Sequence, residues 1–131
     1  MSIFNKIING EIPCYKVAED DNFIAFLDIN PVAKGHTLVV PKKEVDYIYD
    51  LDDQTLSALW LFSKKVAKGV KAVVPCNRIG ISVIGLEVPH AHVHLIPINT
   101  LDDMNFSRPR VKLAADEFVG LAAQIALHIN L

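Results

Sequence analysis

Three of the five histidines stand two residues apart in His90-Ala91-His92-Val93-His94-Leu95-Ile96, with an apolar residue in each gap. A β-strand sends alternate side chains to opposite faces and rises about 3.3 Å per residue. The spacing therefore predicts three imidazoles on one face, neighbours about 6–7 Å apart. Ala91, Val93 and Leu95 would line the other face, greasy enough to lie on a core. Pro89 and Pro97 bracket the run, and proline suits strand ends because it cannot donate to a ladder.

At 131 residues, 51% hydrophobic and 21% charged, the chain reads as one domain, 1–131, with enough material for a real core. A net charge of −2, with acids and bases interspersed, argues against a nucleic-acid or membrane partner. No apolar run approaches the roughly 18 residues of a membrane span. The opening Met1-Ser2-Ile3-Phe4-Asn5 lacks the charged and then apolar regions of a signal peptide. Cys14 and Cys76 form no CxxC, so two buried free thiols in a reducing cytosol are expected.

In chain order, Ser2 can cap a short helix that buries Ile3, Phe4, Ile7 and Ile8, ended by Asn9-Gly10. Residues 14–19 and 22–28 are rich in strand formers around Asp20-Asp21, which predicts a hairpin. A third strand spans 36–40 and stops at Pro41. Asp52-Asp53 cap a long helix to Val73, with Leu56, Leu59, Trp60, Ser63, Val66, Ala67, Val70 and Val73 as its buried stripe. Its lysines, Lys64, Lys65, Lys68 and Lys71, read as a solvated face. Residues 78–84 form a fourth strand, 99–113 are irregular, and 115–129 form a last amphipathic helix. Strands around a hairpin, with helices in separate blocks, argue α+β with five mainly antiparallel strands.

Three imidazoles in register lower one another's proton affinity unless an anion or a metal compensates. Imidazole suits zinc, but the nearest acid, Glu87, and the nearest thiol, Cys76, lack metal-motif spacing, so no metal and no cofactor are expected. Phosphate chemistry fits better. Neutral imidazole attacks phosphorus, flanking imidazoles bind non-bridging oxygens, and the Gly85 turn offers backbone N–H groups.

His-φ-His-φ-His-φ-φ, here His90 to Ile96, resembles the signature of the histidine triad (HIT) superfamily, in the nucleotide-binding branch nearest the Hint proteins. The likeness extends through Ser2-Ile3-Phe4-Asn5-Lys6-Ile7-Ile8, Glu11-Ile12-Pro13, Phe26-Leu27-Asp28-Ile29-Asn30-Pro31 and Gly35-His36-Thr37-Leu38-Val39-Val40-Pro41-Lys42. The resemblance implies a homodimer with one continuous sheet and a purine nucleoside monophosphate, or a nucleotidyl conjugate, at each triad. It makes His92 the nucleophile, His94 a phosphate contact, His90 a holder of the geometry and His36 a support from the next strand. Asp28 would hold the ribose, and Ile3, Phe4, Ile7, Phe26, Ile29 and Leu38 would wall the base, although at these spacings they would be core in any fold. Ser82, Gly85, Glu87 and Val88 complete the expected nucleotide contacts.

Several departures from that family stand out. Ser2, Asn5 and Glu44 occupy positions where many bacterial relatives hold zinc, so that ion is expected to be absent. The pre-triad loop reads Gly85-Leu86-Glu87-Val88 in place of Gly-Gln-Ser/Thr-Val, and Ser82 stands where asparagine is common. Leu86 loses an amide that contacts the leaving group, whereas Glu87 could repel the phosphate or, if buried, donate a proton. The loop after Ser82 reads about three residues short, and the tail, 99–131, is unlike that of the short-tailed Hint proteins and brings Arg108 and Arg110. The expectation is a hydrolase of nucleoside phosphoramidates or related conjugates acting through a nucleotidyl-His92 intermediate. The alternatives are a regulatory nucleotide binder with little turnover, or a dinucleoside polyphosphate hydrolase or nucleotidyl transferase.

Overall fold

The computed structural model describes residues 2–131. Helix α1 (Ile3–Ile8) starts where the Ser2 side chain accepts from the Asn5 N–H. The hairpin β1 (Lys16–Glu19) and β2 (Phe23–Leu27) follows, then β3 (Thr37–Pro41), helix α2 (Asp53–Val73), β4 (Arg78–Ser82), β5 (Val93–Ile98) and helix α3 (Ala115–Leu127). The five strands lie in the order β1-β2-β3-β5-β4, every neighbouring pair antiparallel. This is the α+β architecture expected from the sequence. No helix among the described residues is long and apolar enough to cross a membrane.

Both central faces of the sheet are covered. Phe23, Ala25, Leu27, Val39, Val93 and Leu95 join one cluster with Leu59, Phe62, Val66 and Val70 of α2 and with Phe118, Leu121 and Ile125 of α3. Ile24, Phe26, Leu38 and Val40 point the other way, onto Phe4 of α1. Directly opposed residues of an antiparallel pair share a face. Leu38 opposes His94, which in turn opposes Ser82, so the triad face is the α1 face.

The histidine strand begins later than its pattern suggests, at Val93 instead of His90. Pairing with β3 stops at Val39 opposite Val93 because Pro41 has no N–H to give and its carbonyl is taken by the His90 ring. Ala91 donates to the Val45 carbonyl instead. At the other end, Pro97 lies inside β5 and does not terminate it. There β3 has already ended, opposite Leu95, so β5 keeps one neighbour and proline removes no bond on the empty side. Trp60, expected in the core, is 39% exposed. Phe62 and Gly69 take places in the buried stripe of α2. The expected burial of Ile3 also fails, since Phe4 is the buried residue of α1. Both cysteines are free, as expected, but half-buried.

Candidate active site

The four histidines of the site are all buried, and each has one ring nitrogen tied to the backbone or to another histidine. His92 Nδ1 lies 2.7 Å from the carbonyl of His90. A carbonyl only accepts, so this nitrogen carries the proton and Nε2 carries the lone pair. Burial lowers the pKa of His92 below the ordinary histidine range, which keeps the lone pair available at neutral pH.

His36 and His94 form a second chain of fixed direction. The Val32 N–H donates to His36 Nδ1 at 3.1 Å. The proton of His36 is therefore on Nε2, which donates to His94 Nδ1 at 2.9 Å. That leaves His94 with an Nε2–H as its remaining donor. Burial, then neighbouring positive and imidazole groups, push both rings down to about 3, so the pair is neutral. Gly35, just before His36, has φ +93°, and a Cβ there would meet Val74 Cγ2 at 2.8 Å, so only glycine lets the chain enter β3 this close to the end of α2. Asp28 lies across the pair, with Oδ2 3.6 Å from His36 Nε2.

Asp28, His36 and His94 each offer one potential metal ligand atom, all within 4.8 Å of one another. A metal-bound imidazole donates its other N–H to an acceptor. Here the other nitrogen of His36 faces the Val32 N–H, so the trio is wired as a hydrogen-bond relay and does not fit a metal.

His90 ties the strand to α1. Its Nε2–H donates to the Pro41 carbonyl, and Nδ1 accepts from the Ser2 hydroxyl at 2.8 Å. The Ser2 N–H donates to Glu44 Oε1 at 2.7 Å, which holds that carboxyl below its usual range. Ser2 and Glu44 thus come together around His90 through hydrogen bonds.

Of the apolar residues expected near the base, only some come together. Phe4, Phe26 and Leu38 pack in one cluster with Ile7 and Val88, and the Phe4 ring meets His92 edge-on at 4.9 Å. Ile3 and Ile29 lie outside it, Ile29 being 74% exposed. His92 also borders a cleft of about 380 Å³, lined by Tyr47, Tyr49, Trp60, Ile84, Gly85 and Leu86 among others. Glu87 is exposed, so the burial its proton-donating role calls for is absent. Arg108 is bound to Asp102 and Asp103, whereas Arg110 lies over Phe106, the ring that meets His94. The sequence reading missed Val32, which acts through its backbone and leaves no side-chain signal. It also missed Phe106, whose ring meets His94 at 5.0 Å; an aromatic in a polar tail was the available sign.

A HIT domain model matches residues 9–101. The chain belongs to the HIT family. The HIT chain is 38% identical to a HIT-like protein of Borreliella burgdorferi over 97% of each sequence. It is 35% identical to an adenosine 5′-monophosphoramidase of Schizosaccharomyces pombe over 98% of each. The HIT fold is equally clear in three dimensions. A HIT-like protein from Bartonella henselae superposes with a TM-score of 0.84 at 33% identity, covering 98% of this chain and 96% of that one.

Proposed function

We propose that this HIT chain hydrolyses nucleoside phosphoramidates or related nucleotidyl conjugates and releases a nucleoside monophosphate. The observation that carries this is the His92 tautomer, with Nδ1–H spent on the His90 carbonyl and Nε2 left as a neutral nucleophile. The phosphoramidase names of two yeast relatives support the same chemistry. His92 Nε2 attacks the α-phosphorus, the bond to the leaving amine breaks, and the amine departs with a proton taken from solvent. Water then cleaves the phosphorus–His92 bond and returns the free imidazole. His94 Nε2–H donates to a non-bridging oxygen as charge develops there. His36 fixes that donor, and His90 fixes the backbone that orients His92. Asp28 holds the ribose, with Phe4, Ile7, Phe26, Leu38 and Val88 against the base. A second copy of the chain completes the molecule along β4.

The test is AMP release from adenosine 5′-phosphoramidate, wild type beside His92→Ala, with intact-mass analysis of the protein. Turnover should fall by at least ~10³-fold in the variant, and a nucleotidyl adduct should form only in wild type. Leu86 supports a second reading: 88% exposed and apolar, it offers no hydrogen bond to a leaving group. AMP binding without turnover would favour that regulatory binder. Faster cleavage of a diadenosine polyphosphate would favour the polyphosphate hydrolase.

A further inference from the structure

After β5 the chain makes a 3-10 turn (Leu101–Met104), and residues 105–111 then cross the end of the site. We propose that Phe106 and Arg110 of this strap are positioning residues that hold the His36–His94 pair in one tautomer. The Phe106 ring stands edge-on to His94 at 5.0 Å and to His36 at 6.1 Å. The Arg110 guanidinium lies 5.6 Å from the Phe106 ring centroid and donates to the carbonyls of Asn30, at 3.1 Å, and Phe106, at 3.3 Å. The Val111 N–H donates to the Pro31 carbonyl at 2.9 Å. Asn30 and Pro31 lead directly into Val32, whose N–H sets the His36 tautomer. The strap therefore meets the relay twice, by covering its rings and by pinning the loop that orients it.

A neutral imidazole pair has a competing tautomer, with protons moved to His36 Nδ1 and His94 Nδ1. Here that state would set the His36 N–H against the Val32 N–H, a penalty that lasts only while Val32 is held in place. The charged or titratable groups facing the pair are Asp28 from the β2–β3 loop, His92 from the segment just before β5 and Arg110 from the strap. Asp28 favours a proton on the pair. Burial and Arg110 oppose it. Loosening the strap admits water and removes that opposition. A proton on His94 Nδ1 then faces the His36 N–H across 2.9 Å and breaks the relay.

The rate arm of the test rests on the proposed phosphoramidase activity, and the spectroscopic arm does not. Ring ¹⁵N spectra of wild type should show the Nε2–H tautomer at His36 and at His94 from about pH 8 to about pH 5. In Phe106→Ala and in Arg110→Gln the signals should move toward tautomer exchange, with protonation at least about one pH unit higher, and Phe106→Leu should restore most of the difference. With adenosine 5′-phosphoramidate, kcat should fall about tenfold with KM within about twofold, and the acid limb should move up in pH. Wild type without turnover would refute the functional reading and leave the ¹⁵N result to decide this one. Unchanged ring spectra in folded Arg110→Gln, whose side chain is on the surface of the site, would overturn the proposal. So would a loss confined to KM.

Discussion

At each imidazole the nitrogen committed to a partner decides what the other nitrogen can do. His92 donates Nδ1–H to the His90 carbonyl and keeps a lone pair on Nε2; His94 accepts a hydrogen bond from His36 and keeps an N–H. The same wiring has a thermodynamic consequence. His36 and His94 are held down to about 3 in the fold, against an ordinary value of 6.5. Between these values the unfolded chain binds more protons, so stability is complete above about pH 6.5 and is lost as the pH falls toward 3. Each group can contribute about 1.4 kcal/mol per pH unit, although a hydrogen-bonded pair titrates as one unit. Urea unfolding should therefore give a stability lower at pH 5 than at pH 7 by about 2 kcal/mol for each of the two histidines, about 4 kcal/mol for the pair, and His36→Leu should roughly halve that loss. A flat wild-type profile would contradict a neutral pair. For catalysis the sign is the same: His92 stays unprotonated until the pH drops below the ordinary histidine range, so kcat/KM should hold through neutral pH and decline only on its acid side.

Among the elements, α1 is the one with the least local reason to exist. Its six residues are too few to be helical alone in water. Packing of Phe4 against Phe26, His90 and His92 holds it, as does the Ser2 hydroxyl, which caps the helix and supplies the partner of His90 Nδ1. Ser2→Ala should then cost more than an ordinary cap. Losing the cap costs about 1 kcal/mol, and leaving a buried ring nitrogen unpaired costs a further 1–3 kcal/mol, roughly. Chemical denaturation that shows a loss under about 1 kcal/mol would mean the His90 bond contributes nothing. The late start of β5 belongs to the same corner. Pro41 ends the ladder, which frees the backbone of residues 90–92 to turn and lets the His90 carbonyl meet the His92 ring.

For the whole molecule, β1 and β4 are the edges of the sheet, and beside β4 the side chains of Trp60, Leu61 and Ile81 are exposed, Ile81 at 51%. Between Trp60 and Ile81 a groove of about 300 Å³ takes in Ser63, Ile79 and the stems of Lys64, Lys68 and Lys71, and the Ser63 hydroxyl is the one buried side-chain polar atom without a partner among the described residues. An uncovered edge of this kind is a template for pairing, which suits the proposed second copy. Ile81→Lys should convert a dimer to a monomer in sedimentation velocity, while a wild type that is monomeric at micromolar concentration would remove the homodimer from the reading. The alternation of histidines with Ala91, Val93 and Leu95 was enough to assign two faces to β5, because side-chain period in an extended chain is a local property. The N-cap of α2 at Asp52 and the hairpin were legible for the same reason, and the quoted motifs carried the family. Tautomers, burial and the strap were not legible. Whether His92 Nε2 holds a lone pair depends on a carbonyl freed by Pro41, 51 residues earlier by number, and the donor state of His94 depends on an N–H in the loop after β2. Such contacts between distant segments exist only once the sheet has brought them together.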